Sequence, residues 1–274
     1  MVNFFYLDKN PKKCATYYCD KHVNKIMIEI CQILCQIHHE IGEKKPPYKK
    51  CRAIKDTLKP YIWAKESINN YLYCCDLANS LLKEFKYRFD KENHKSEPVI
   101  KWLSENIPNK IKKKRMTKFK LTNNVKIYNN FFKNSIYASR IMYVDFKCKN
   151  DKWSKRKIPE WFVPLKKEVD TKKNILKKKI MINVKDKLPK FSKKNNLTVR
   201  RFHSFLRICY DNLFEDKWNR KIKQMKNMFN EKKPLINQLG LPHLYKVLEI
   251  SNKLFDIKNL NRLNKKSLKY RNKL

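Results

Sequence analysis

Glycine is nearly missing from this chain: among 274 residues it occurs twice, at Gly42 and Gly240. A phosphate-cradling P-loop or a dinucleotide fingerprint needs several glycines within a few residues, so that the backbone can approach phosphate and adopt φ > 0. Neither can be built here. Hairpin turns also lean on glycine, which disfavours an all-β fold with many tight turns. Long apolar runs are lacking too. The best, Ile26-Met27-Ile28-Glu29-Ile30, is broken by a carboxylate and falls far short of the ~18–20 apolar residues of a membrane span. The first residues, Met1-Val2-Asn3-Phe4-Phe5, have no basic segment ahead of the apolar ones and no small-residue cleavage site, so no signal peptide is expected.

Acidic side chains are the other scarcity. Lys and Arg number 66 against 25 Asp and Glu, a net charge of +41. The imbalance is uneven: residues 1–100 carry 18 basic and 12 acidic groups, a net of +6, whereas residues 101–274 carry 48 and 13, a net of +35. The first stretch has the balance of an ordinary globular piece, and the rest that of a surface lying against a polyanion. Nucleic acid is the expected partner, because each neutralised phosphate releases counterions. Double-stranded DNA comes first, RNA second, and no membrane is expected. Part of the lysine excess is compositional, since Lys, Asn and Ile dominate as they do in AT-rich genomes. Hydrophobic residues reach 42%, enough for a core. The nine cysteines are an odd number and several fall inside amphipathic patterns, which points to reduced thiols in a cytosolic or nuclear setting. No cofactor is implied.

The patterning predicts a mostly α protein: a compact helical core over 1–165, a basic linker over 166–196 and a basic helical C-terminal extension over 197–274. No internal repeat is found. The clearest helix lies near 16–41, with Val23, Ile26, Met27, Ile30, Ile33, Leu34, Ile37 and Ile41 at steps of three and four. A second is expected over 61–89 behind Pro60, and a third over 97–106 with Pro98 in its first turn. Thr198 is placed to cap a helix carrying Phe202, Phe205, Leu206, Cys209 and Leu213, and another follows Pro234. The one strand signal is Phe4–Leu7.

Beside the apolar face of the first long helix, His22, Lys25, Glu29, Gln32 and Gln36 are spaced 3, 4, 3 and 4 apart. That spacing sets them on one line along the helix, roughly 100° from the buried face. An imidazole, an ammonium, a carboxylate and two amides in a row offer general acid or base chemistry at Glu29, phosphate contacts at His22 and Lys25, and base-edge contacts at Gln32 and Gln36. The plain alternative is a half-exposed helix with Lys25 and Glu29 as a surface pair.

A resemblance reaches these residues. Phe5-Tyr6-Leu7-Asp8, Cys19-Asp20-Lys21-His22-Val23-Asn24-Lys25, Glu29 and Gln32 look like the start of a family of small proteins common in tailed phages and large DNA viruses. The likeness continues through Ile62-Trp63-Ala64-Lys65-Glu66-Ser67, Asn70-Tyr71, Glu84-Phe85-Lys86-Tyr87-Arg88-Phe89, His94-Lys95-Ser96 and Pro159-Glu160-Trp161-Phe162. That pattern is in turn distantly similar to the phage-type pyrimidine-dimer DNA glycosylases (endonuclease V-like), small all-α enzymes that bind kinked DNA and cleave the glycosidic bond. The resemblance implies a catalytic glutamate at Glu29, with His22 and Lys25 on the DNA side. It further implies an N-terminal α-amine nucleophile forming an imine with the sugar, which falls on Val2 once Met1 is removed. The chain has several more residues before His22 than those enzymes do, so the reach of the amine to Glu29 decides whether the chemistry transfers.

Further candidates for phosphate or sugar contacts are Arg88, His94, Lys95 and Arg156, and Trp153, flanked by Lys152, Lys155, Arg156 and Lys157, could stack on a base. Trp63 reads as core. Cys14, Cys19, His22, Cys31, Cys35, His38 and His39 crowd one region, but no CxxC pair occurs and no metal site is expected. Two functions follow as expectations: a viral DNA-binding protein with glycosylase or lyase activity on damaged or modified bases, or a non-catalytic DNA-binding, packaging or virion-associated protein. A scaffold docking a partner through the aromatic 128–162 region is a third. The compartment implied is the cytoplasm or nucleus of a host cell.

Overall fold

The computed structural model describes residues 3–119, 134–148 and 152–187, together with Gly240, Leu241, Leu244, Tyr245 and Leu248. Its regular elements are helices: α1 (Pro11–Tyr17), α2 (Asp20–Ile41), α3 (Lys59–Glu66), α4 (Ile68–Phe89), α5 (Glu97–Glu105), α6 (Ser135–Met142), a π-helical turn (Tyr143–Lys147) and α7 (Phe162–Lys187). The core is helical, as the periodicity predicts, and no strand occurs among the described residues. No helix among them is long and apolar enough to cross a membrane. The contacts divide the chain into two units, Met1–Lys167 and Glu168–Leu274. Thr198 and the helices expected beyond it lie outside the described residues.

The two longest helices of the first unit, α2 and α4, pack on each other, and α1, α3 and α5 all pack on α4. Every apolar position read from the sequence on α2 is buried except the last, Ile41. The helix starts later than expected. Tyr18 and Cys19 are extended and separate α1 from α2. Their backbones are engaged elsewhere: Cys19 N–H donates to Tyr143 Oη, and Tyr18 O accepts from Arg88. α2 ends at Gly42, where a Cβ would come within 2.7 Å of both the His38 carbonyl oxygen and His38 Nδ1, so only glycine fits that approach. The helix expected over 61–89 is likewise two. Ser67 is extended, its Oγ accepts from Asn70 N–H, and the Ile68 N–H is turned to the Lys112 carbonyl. A serine that caps a new helix interrupts an apolar pattern without disturbing its period.

The Phe4–Leu7 segment is extended and buried but pairs with no strand among the described residues. Side chains satisfy its backbone instead, as buried peptide groups require. Tyr18 Oη accepts from Phe5 N–H at 2.8 Å and donates to Phe5 O at 2.6 Å, Arg140 Nε donates to Leu7 O, and Tyr73 Oη donates to Asp8 O. Trp63, fully buried as expected, stands among Phe4, Tyr6, Tyr73 and Phe119.

The stretch expected as a linker from residue 166 is helical to Lys187. Leu165, Val169, Leu176 and Ile180 are buried at steps of four and seven, a helical face that the surrounding lysines disguise in a composition reading. Glu168 and Lys172 add an i,i+4 ion pair. Of the aromatic 128–162 region, Tyr143, Trp153 and Phe162 are buried, which removes them from any docking surface. Tyr128, Phe131 and Phe132 lie outside the described residues.

Candidate functional site

The polar line on α2 is neither open to solvent throughout nor sealed. At 100° per residue, Glu29, Lys25, Gln32, Lys21, Ile28 and Asn24 follow one another around roughly 140° of the helix, with Glu29 at the edge where the buried face begins. Lys21, Asn24 and Lys25 are exposed, Ile28 and Gln32 are half-buried, and Glu29 is 9% exposed.

The Asn3 N–H donates to Glu29 Oε2 at 2.8 Å, across 26 residues of chain. Lys25 Nζ stands 3.9 Å from Glu29 Oε1. Burial raises the Glu29 carboxyl pKa above its ordinary value, opposed by the Asn3 hydrogen bond and by Lys25. The Lys147 ammonium is lowered from its ordinary value, first by partial desolvation and then by Lys25 and Lys21, while Glu29 acts the other way. Lys25 and Lys147 therefore draw a proton off a carboxyl that burial inclines towards holding one. Val2, and with it the amine, lies outside the described residues. The residues ahead of His22 form the buried Phe4–Leu7 segment and α1, which packs on α4, and they bring Asn3 to Glu29 on α2.

His22 is buried rather than set for phosphate. Its Nδ1 lies 3.0 Å from Cys19 Sγ and 2.9 Å from Tyr143 Oη, and Tyr143 Oη donates to Cys19 Sγ at 3.1 Å. The Cys19 thiol is pulled down to about 5, chiefly by a hydrogen bond from Cys148, with His22 and Tyr143 adding to it and burial opposing. Cys19 also stands at the N-terminus of α2, where a thiolate is favoured. A depressed thiol contributes stability that is complete above the unfolded value near ~8.5 and is lost as pH falls through the folded value. The melting temperature of the wild type should therefore lose its margin over Cys19→Ser, which keeps a polar acceptor but cannot ionise, as pH drops from 8.5 towards 5. A thermal melt series across that window, with the thiolate absorbance followed in parallel, checks this. A margin constant with pH would contradict it.

No family model, curated protein or solved structure matches the chain.

Gln32 borders a shallow surface groove with Ile28, Pro47, Tyr48, Lys49, Lys50 and Cys51. Gln36 is engaged by the Cys51 N–H at 3.3 Å. His94 is brought to the far edge of the same α2 face: its Nε2 lies 2.9 Å from Asn24 Oδ1, its Nδ1 accepts from Ser96 N–H, and burial lowers its pKa with Glu97 opposing. Lys95 beside it is exposed.

Two expected contacts, Arg88 and Trp153, are corrected by burial, and a third, Arg156, is exposed but paired with a carboxylate. Arg88 is 3% exposed and bonded through all three of its nitrogens: Nε donates to Glu84 Oε2 at 2.8 Å, Nη1 to Tyr18 O at 2.7 Å and to Asp20 Oδ1 at 3.3 Å, and Nη2 to Thr16 O at 3.0 Å. It ties α4 to the α1–α2 junction and is buried away from phosphate. Arg156 grips Glu84 through Nε and Nη2, with its guanidinium 4.4 Å from the Tyr87 ring centroid. Trp153 is 7% exposed, packs against Phe162 and donates from Nε1 to Tyr17 O, so its face is closed to a base. Among the described residues no group of three His, Cys, Asp or Glu could hold a metal ion, and their eight cysteines are free. The sequence alone does not mark Asn3, Lys147 or Tyr143 as site residues, and it offers Cys19 only within a cysteine and histidine cluster weighed for metal. Lys147 and Tyr143 lie over 110 residues from Glu29 and His22 along the chain, and no local pattern distinguishes them.

Proposed function

We propose that the chain binds double-stranded DNA and acts at the sugar C1′ of a damaged or extrahelical nucleotide, with Glu29 as general acid and base. The α-amine of Val2, exposed by removal of Met1, is the nucleophile. The observation that carries this reading is the Asn3 N–H on Glu29, which brings the start of the chain to the carboxylate of the cationic face. A neutral amine attacks C1′, the base departs, and the sugar ring opens to leave an imine. Each step needs a group that accepts and returns a proton, and a carboxyl raised by burial is closer to the working pH than a solvated one. Lys21, Lys25 and Lys147 offer the flanking phosphates their counter-charge, and the α2 face widens towards Gln32, His94 and Lys95 for the rest of the strand. The resemblance to pyrimidine-dimer glycosylases supports the same assignment of Glu29 and Val2, and implies a viral protein working in the cytoplasm or nucleus of an infected cell.

Borohydride trapping on duplexes carrying pyrimidine dimers or abasic sites tests it. The wild type should yield a covalent protein–DNA adduct. Glu29→Gln should slow adduct formation on the order of 10²-fold, and a form with an extra residue ahead of Val2 should abolish it. Salt-sensitive binding with no adduct on any lesion would overturn the catalytic reading. The net charge of +35 over residues 101–274 favours the second reading in that event, a non-catalytic DNA-binding or packaging protein.

A further inference from the structure

From Asn106 to Val144 the chain has no acidic residue and ten basic ones. Within that stretch the Lys112–Lys118 segment has no helix or strand, opens with a tight turn in which Lys114 N–H donates to Lys112 O, and has its backbone anchored to the core at Lys112 and Thr117. The Ile68 N–H donates to Lys112 O at 2.9 Å, and the indole Nε1 of buried Trp63 donates to Thr117 O at 3.0 Å. Asn70, fully buried, grips Thr117 twice: Oδ1 accepts from its N–H at 3.0 Å and Nδ2 donates to its Oγ1 at 2.8 Å. Buried Ile111 and Phe119 pin the two ends. Phe119 packs 5.3 Å from Phe4, the neighbour of the Asn3 that holds Glu29.

The side chains of this strap face the other way. Lys112, Lys113, Lys114, Arg115 and Lys118 are all exposed, and among the described residues no carboxylate pairs with any of them. A merely solvated charge run has no need of a buried asparagine and a buried indole to fix its peptide. Five exposed cations on an immobilised backbone lose little conformational freedom when they meet an array of anions, which is the condition for strong phosphate contacts.

We propose that the Lys112–Lys118 strap is a phosphate-backbone binding surface for duplex DNA, leading towards the Glu29 face. It rests on the preceding reading for its partner and not for its chemistry. The test is fluorescence anisotropy with a labelled, undamaged duplex over a range of salt concentrations. Replacing the five cations by glutamine should flatten the slope of log K against log salt by ~0.9 for each phosphate no longer neutralised, about 3–4 in all if most are engaged. A charge-matched control, with exposed Lys9, Lys12, Lys13, Lys83 and Lys91 changed to glutamine, should move the slope by less than half as much. Both sets lie on the surface, and circular dichroism verifies that each folds. Should the five-fold variant misfold, Lys113→Gln with Lys114→Gln must still flatten the slope by ~1–2. Equal effects of the two sets, an unchanged slope, or a change seen with duplex RNA and not with DNA would each overturn the proposal. Glu29→Gln should leave the slope intact, so failure of the trapping experiment and failure of the strap are read separately.

Discussion

Changing Arg88 to methionine is expected to lower the unfolding midpoint by roughly 10 °C, from a loss of about 3–5 kcal/mol. The side chain is fully buried, and its removal strands several acceptors at once: a Glu84 oxygen, an Asp20 oxygen and the Tyr18 and Thr16 carbonyls. Methionine fills much of the same volume, so the cost is that of the uncompensated polar groups and not of a cavity. Glu84 keeps Arg156, and Asp20 keeps Ser154 N–H and Oγ, which sets the loss below that of a fully isolated charge. Calorimetry of Arg88→Met, Glu84→Gln and the double variant gives the coupling directly. If Arg88→Met melted within about 2 °C of the wild type, less than ~1 kcal/mol for a chain of this size, the clamp between α4 and the α1–α2 junction would be wrong. DNA affinity of the folded variant should be nearly unchanged, which separates this role from the phosphate contact that the bare sequence suggests.

Trp63→Ala should cost a similar ~3–5 kcal/mol, because the indole is fully buried among four aromatic rings and its removal leaves a cavity that α3 and α4 cannot close. Trp63→Phe separates the two functions of the residue. It keeps most of the ring packing but frees the Thr117 carbonyl, for about 1–2 kcal/mol. Since that carbonyl anchors the basic strap, Trp63→Phe should also speed amide exchange around Thr117 while the exchange of α2 stays slow. Equal stability of Trp63→Phe and wild type, with unaltered exchange, would show that the indole N–H holds nothing.

The helical class and the buried faces of α2 and α4 are legible in the sequence, because hydrophobic period reports which side of a segment leaves water. The period survives short interruptions, so the breaks at Tyr18–Cys19 and at Ser67 do not show in it, and neither does the helix hidden in the lysine-rich stretch to residue 187. The chemistry of the α2 edge is legible as a set of residue types. Their states are not. Glu29 is held by a backbone N–H 26 residues away, His22 by a tyrosine 121 residues away, and Arg88 by a clamp that no local pattern announces.

A net charge of +41 attracts polyanions at long range whatever the tertiary structure. Which cations are available for such a partner is decided by the fold. Burial removes Arg88, a carboxylate draws off Arg156, and two buried side chains on α3 and α4 fix the Lys112–Lys118 strap with its cations outward. A charged group's availability depends on what lies within a few ångströms of it, and that is a property of three-dimensional neighbours rather than of sequence order.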